Sequence, residues 1–152
     1  MLKVFIGVCV AVLLLLPSTA LAGMTRSETT LLRAMNGVRA QHGLAPLRFD
    51  AHLERAARSH SREMIADDVF RHGAFGSRML QFDVTGTLAG ENLAWGTGTR
   101  GTAMGIVHAW LASPEHRANL LRPSFSRVGI GTVVGSFLGS QGATVVTADF
   151  AG

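Results

Sequence analysis

The 152-residue sequence holds one cysteine, Cys9, and one lysine, Lys3, both within its first ten residues. Whatever follows residue 22 therefore forms no disulfide, and a fold delivered to an oxidising compartment has to be held by packing. Its positive charge is carried by arginine alone, within a formal net charge of +4 for the whole sequence. Arg33, Arg39, Arg55, Arg58 and Arg62 are interleaved with acids along helical faces, with no basic patch and no regular alternation with aromatic residues. That distribution argues against a nucleic-acid partner. The arginines read as solvated helix faces, with attraction to an anionic envelope surface as the second reading. Internal repeats and low-complexity blocks are missing too. So are a G-x-S-x-G nucleophile elbow and an H-E-x-x-H helix, which weakens serine-hydrolase and zincin readings.

What is present begins with a leader. Lys3 precedes an apolar run from Val4 to Leu16, followed by Pro17 and the small-x-small pattern Ala20-Leu21-Ala22. This is the layout of a secretory signal peptide. The run of about 13 residues falls short of the roughly 20 that span a bilayer, and no second such run follows. Residues 1–22 are expected to be cleaved after Ala22, giving a secreted or periplasmic protein that is soluble after cleavage. An uncleaved anchor is the alternative. Cys9 lies inside the run, away from any lipoprotein-type cleavage site. Residues 23–152 are enough for one domain with a sizeable core.

The first expected helix is capped by Ser27, carries Leu31, Leu32, Met35 and Val38 at helical spacing, and closes at Gly43. Leu44 to Phe49 reads as a short extended connector. Asp50 caps a second helix to about Asp67, whose apolar face is Leu53, Ala56, Ala57, His60 and Met64. His60 is thus on a buried stripe, and a core histidine bonded to a carbonyl is preferred to a ligand. Residues 68–89, with Gly73, Gly76 and Gly86, read as a long loop carrying His72. Gly96 to Gly101 is a flexible connector, and Thr102 starts a third helix through Met104, Ile106, Val107 and Trp110, with His108 off its stripe. Val128–Val134 and Ala143–Phe150 are strand-like, with Gly135–Gly142 as the turn of a hairpin. Gly129 and Gly131 suggest a close backbone approach or a bulge. Helices first and a strand pair last favour an α+β fold.

Two stretches carry chemistry. Ser113 to Leu121, SPEHRANLL, begins with an N-cap type, a proline suited to the first helical position and Glu115 at the positive helix end. His116 falls in the first turn, where the local field disfavours the imidazolium and leaves a neutral ring. Gly90 to Trp95, GENLAW, sets the single carboxylate of Glu91 among glycine and apolar residues.

AARSHSREM at Ala56 to Met64, FRH at Phe70 to His72, GENLAWG at Gly90 to Gly96 and VHAWLASPEHRANLLRPSFSRVGIG at Val107 to Gly131 follow in an order that resembles the bacterial branch of the CAP superfamily. The superfamily takes its name from cysteine-rich secretory proteins, antigen 5 and pathogenesis-related 1 proteins, and its domain is also called SCP. The resemblance covers nearly all of residues 23–152. It implies an α-β-α sandwich, a small antiparallel sheet between helical layers, and a cleft lined by histidine and glutamate that binds a divalent cation, often zinc. Carried over by motif, it points to His72, Glu91 and His116. The further glutamate of larger members is replaced here by Ser113, and their GHYTQ-like segment is missing. Glu115 stands where many bacterial relatives have glycine, so it either substitutes for the missing carboxylate or supports the helix end. Ser113, Glu115 and His60 are the residues expected around the cleft.

Once the resemblance brings them together, two neutral imidazoles and a carboxylate form a three-ligand set for Zn²⁺ with an open position. Metal-bound water would allow hydrolysis, and without metal Glu91 would be the candidate catalytic base. Glu91 could instead hold neighbouring loops by accepting backbone N–H bonds. The preferred function is a secreted module whose cleft takes a divalent cation and a lipid or cell-envelope ligand. The alternatives are a hydrolase acting on an envelope polymer or peptide, and a scaffold with no small ligand.

Overall fold

The computed structural model describes residues 23–152, so the expected leader at 1–22 lies outside the described residues. Helix α1, Arg26–Gln41, starts two residues earlier than the sequence suggests. Thr25, and not Ser27, is its cap: the Thr25 hydroxyl accepts from the Glu28 N–H while the Glu28 carboxylate accepts from the Thr25 N–H. This reciprocal pair satisfies two donors that a helix start leaves open. The connector contains a two-residue strand, β1, Arg48–Phe49. Asp50 caps α2, Ala51–Asp67, by accepting from the N–H groups of His52 and Leu53. Inside the expected loop lies a short helix, α3, Phe75–Gln81. GENLAW belongs to a strand, β2, Ala89–Gly96. A 3-10 turn at Gly98–Gly101 leads to α4, Ala103–Ala112, and α5, Pro114–Leu120, follows. The chain ends in β3, Arg127–Phe137, and β4, Ser140–Ala151. These last two strands are longer than the sequence suggests, and Leu138-Gly139 alone turns the chain between them, both at positive φ.

The four strands run in the order β1-β3-β4-β2. The sheet is mixed: β2, β3 and β4 are antiparallel, while β1 joins β3 in parallel. Strand alternation sorts the side chains onto two faces. Val128, Ile130, Val146, Ala148 and Phe150 meet Leu31, Met35, Ile106, Trp110 and Leu120 of α1, α4 and α5. On the opposite face, Leu93, Val145 and Ala151 meet Met64, Leu53 and Ala56 of α2. The result is an α-β-α sandwich, with α2 and α3 as one helical layer and α1, α4 and α5 as the other.

Two arginines read as solvated are structural. Arg39 is completely buried, and its guanidinium donates to the carbonyls of Ala45 at 2.9 Å, Leu120 at 2.9 Å, Arg122 at 3.1 Å and Phe125 at 3.1 Å. It ties α1 to the end of α5 and to the segment entering β3. Arg58 reaches across from α2 to Glu28, which is itself buried at the start of α1. Arg55, Arg58 and Arg62 also share one shallow cavity of about 270 Å³ with Glu54 and Phe82, so part of the basic charge is clustered after all.

The layer formed by α2 sits close to the sheet because β3 offers glycine where α2 crosses it. A Cβ on Gly129 would fall inside the Leu53–Glu54 backbone, and one on Gly131 inside the Ala57–Arg58 backbone. Helix backbone cannot yield as a flexible side chain can. Gly131→Ala is expected to cost about 3 kcal/mol of stability by forcing α2 off the sheet, read as a lower midpoint in urea unfolding.

Candidate functional site

Strand β2 lies at the sheet edge. Its alternation places Glu91, Leu93 and Trp95 toward α2, and Asn92 and Ala94 toward α4 and α5. Glu91 is 7% exposed, and both its carboxylate oxygens are taken. Oε1 accepts from Nδ1 of His72 at 2.7 Å, and Oε2 accepts from the Arg78 guanidinium. The His72 side chain is 60% exposed, so Glu91 is a floor and His72 stands at the mouth. Arg78 comes from α3, is itself buried, lies over the Phe75 ring, and donates to the His72 carbonyl at 3.3 Å. The helix hidden in the loop thus delivers a fixed cation to the site.

Directly opposite Glu91 on β4 is Asp149. Its side chain is fully buried, no protein N–H or O–H satisfies either oxygen, and the nearest cation is Arg78 at 4.0 Å. Side chains paired this way lie roughly 5 Å apart at Cβ. Two carboxylates with one guanidinium between them, away from water, cannot both hold full charge. Burial, followed by the neighbouring Glu91, pushes the Asp149 carboxyl well above its usual range, against the opposing pull of Arg78. Asp149 therefore holds its proton to higher pH than a solvent-exposed aspartate does.

His60 is buried in the same layer, with Nε2 donating to the Arg71 carbonyl at 2.8 Å and lying 3.9 Å from Glu91 Oε2. It holds the start of the His72 loop against α2. From the other layer, the first turn of α5 presents His116. Ser113 precedes this helix but makes no side-chain cap; its hydroxyl bonds His116 Nδ1 at 2.9 Å. Asn92 donates to the His116 carbonyl at 2.8 Å, and Asn119 donates to the Glu91 carbonyl and to Asn92 Oδ1, both at 3.1 Å. These bonds lace α5 to β2. Burial and the nearby His72 hold the His116 imidazole below its ordinary value, partly opposed by the exposed Glu115. His72 and His116 thus lie within electrostatic reach of each other. Among the described residues, no group of three His, Cys, Asp or Glu side chains has a metal-holding arrangement.

Arg78, Asp149, Asn92 and Asn119 were not singled out from the sequence. Asp149 left a signal there: an acid among apolar residues in a strand with both faces covered is a buried acid. Arg78 left none, since its helix has no side-chain cap.

A mixed sheet between helical layers, with a buried glutamate on its edge strand bonded to one histidine and a second histidine carried by the helix laced to that strand, defines an α-β-α module of the CAP type. The family model described as CAP, the cysteine-rich secretory protein family, matches residues 32–150, and the chain belongs to that family. It is 32% identical over 129 residues to the uncharacterized protein YkwD of Bacillus subtilis (strain 168), across 82% of this chain and 49% of YkwD. The chain thus spans about half the length of that relative. An extracellular protein containing a SCP domain from Bacillus anthracis str. Ames superposes with a TM-score of 0.66 at 27% identity, over 82% of this chain and 40% of that one. An outer surface protein from Borrelia burgdorferi shares the fold, with a TM-score of 0.68 at 22% identity over 80% of this chain and 89% of its own.

Because Asp149 is raised in the folded state, the native protein binds a proton that the unfolded chain has lost above its own carboxylate range. The Asp149 contribution is therefore full below that range and is lost as pH rises through the folded value, at up to about 1.4 kcal/mol per pH unit. Urea unfolding across pH 4–9 should show this decline in the wild type and a flatter profile in Asp149→Asn.

Proposed function

We propose that the chain is an exported CAP module whose cleft takes a divalent cation between His72 and His116, with Glu91 behind them. The supporting observation is that each imidazole has Nδ1 engaged, by Glu91 and by Ser113 respectively. With Nδ1–H donating, Nε2 keeps its lone pair in both rings, the form in which histidine binds Zn²⁺. A carboxylate behind a ligating histidine fixes its tautomer and raises its basicity, and Glu91 is placed for that role. Direct contact between Glu91 and the cation fits less well, because Arg78 already occupies Oε2 and would stand beside the metal. Glu115, exposed next to His116, adds negative charge near the site. Water or a ligand would complete the coordination, and a bound zinc would supply Lewis acidity there.

The cell-envelope ligand has a candidate seat in an apolar groove of about 260 Å³ between α1, α4 and the sheet. Leu31, Ile106, Val134 and Val146 line it, and Arg26 and Thr102 are among its polar residues. An acyl chain suits the apolar walls, and the arginine suits an anionic headgroup. Hydrolysis is the weaker reading, since an oxygen held by a guanidinium and another held by an imidazole leave Glu91 poorly placed as a base.

Equilibrium dialysis with Zn²⁺ tests the cation site. His116→Ala and His72→Ala should each remove most of the uptake, whereas Glu91→Gln should weaken affinity by about tenfold, as an outer-shell partner does. Uptake that survives the loss of both histidines would overturn the assignment.

A further inference from the structure

At the start of α1, two buried carboxylates, Glu28 and Glu54, share one arginine. Glu28 is fully buried and Glu54 is 5% exposed. Among the described residues, Arg58 is the one cation in ion-pair contact with either, reaching Glu54 Oε1 at 2.8 Å. Arg58 spends its aligned N–H groups on both oxygens of Glu28 and on the Gly23 carbonyl, the last at 2.9 Å, leaving Glu54 Oε1 buried without a hydrogen bond. Glu28 is satisfied further by the Thr25 and Thr132 N–H groups. Two carboxylates thus have a single cation in direct contact, with Arg55 and Arg62 acting on Glu54 only from further off, and Glu54 has the weaker share: burial pushes its carboxyl up against the pull of Arg58, and Glu28 adds to the rise.

The residue beside Glu54 is Gly23, the first after the expected cleavage point. A substituent in the Cβ position of Gly23 would lie 3.8 Å from Glu54 Oε1. The Gly23 carbonyl is pinned by Arg58. Once nothing precedes Gly23, rotation about its Cα–C bond can swing the amine nitrogen into the position that a side chain would fill. Glycine leaves that position empty.

We infer that removal of the leader completes this cluster: the new α-ammonium of Gly23 pairs with Glu54, so that maturation supplies a second cation to a buried ion network. Hydrolysis of the Ala22–Gly23 peptide bond by the export endopeptidase consumes one water, leaves a carboxylate on Ala22 and leaves an amine on Gly23 that takes up a proton. Before cleavage the same nitrogen is a neutral amide and cannot neutralise Glu54. The pairing is independent of the cation cleft, which lies toward the other end of α2, at His60 and the loop beyond it.

The sequence offers an unusually clean test. Lys3 leaves with the leader and residues 23–152 hold no lysine, so the Gly23 α-amine is the one primary amine among them. Protein exported with its leader should show Gly23 as the first residue by mass; any other first residue overturns the inference. Sulfosuccinimidyl acetate should then acylate the folded wild type about tenfold more slowly than folded Glu54→Gln, because ion pairing holds the amine protonated. Equal rates overturn it. Should Glu54→Gln fail to fold, a chain beginning at Ala22 with Glu54 intact replaces it. There the Gly23 nitrogen is an amide, so the terminal amine should react at the unfolded-chain rate, whereas protection equal to that of the Gly23 form overturns the pairing.

Discussion

The seating of α2 on β3 is the constraint from which the rest of the molecule follows. Two glycines let a helix backbone rest directly on a strand, and the helix so placed carries most of the polar chemistry in its layer. Asp50 begins it, Arg58 crosses from it to α1, and Ser61 donates to the Gly131 carbonyl at 2.9 Å. His60 faces β2 from it, and the loop leaving its C-terminal end returns His72 to Glu91. Side chains at the glycine positions would lift that whole set away from the sheet edge.

The cleft depends on an unequal division of charge. Glu91 has a cation and a histidine to itself, while Asp149, one strand over, has a guanidinium only at 4.0 Å, and burial pushes its carboxyl upward instead. A carboxyl that gives up its proton less readily eases the buried charge without a second arginine. Across the strand, the neutral ring of His116 adds no charge of its own. In this chain, the arginine beneath the glutamate and the acid beside it decide how that glutamate behaves.

Much of the architecture was legible wherever a periodic apolar face coincided with a capping residue, as in α2 with Asp50 and in α4 with Thr102. The last hairpin was legible from its β-branched runs, although the turn is only two residues long. Strand β2 escaped because GENLAWG has glycine at both ends and is covered on both faces, so Asn92 is as buried as Leu93 and no alternation shows. Helix α3 escaped because seven residues with a glycine inside, and no side-chain cap, leave no helical signature. The first cap was misplaced because Ser27 and Thr25 are both suitable residues, and the reciprocal bond with Glu28 decides between them. For the candidate site, His72, Glu91 and His116 were reached through resemblance, since three segments far apart in sequence share no spacing rule. The electrostatic setting, Arg78 and Asp149, depended on that hidden helix and on which strand pairs with which.

Arg39 supplies what a chain without cysteine after residue 22 would otherwise lack. Its planar head gathers carbonyls from three separate stretches of backbone, a cross-link in effect, but one made of hydrogen bonds and shielded from solvent. Such a junction has no reduction potential. The shape it enforces should therefore be indifferent to thiols and oxidants, and the domain can hold together equally well on either side of a membrane that separates reducing from oxidising surroundings.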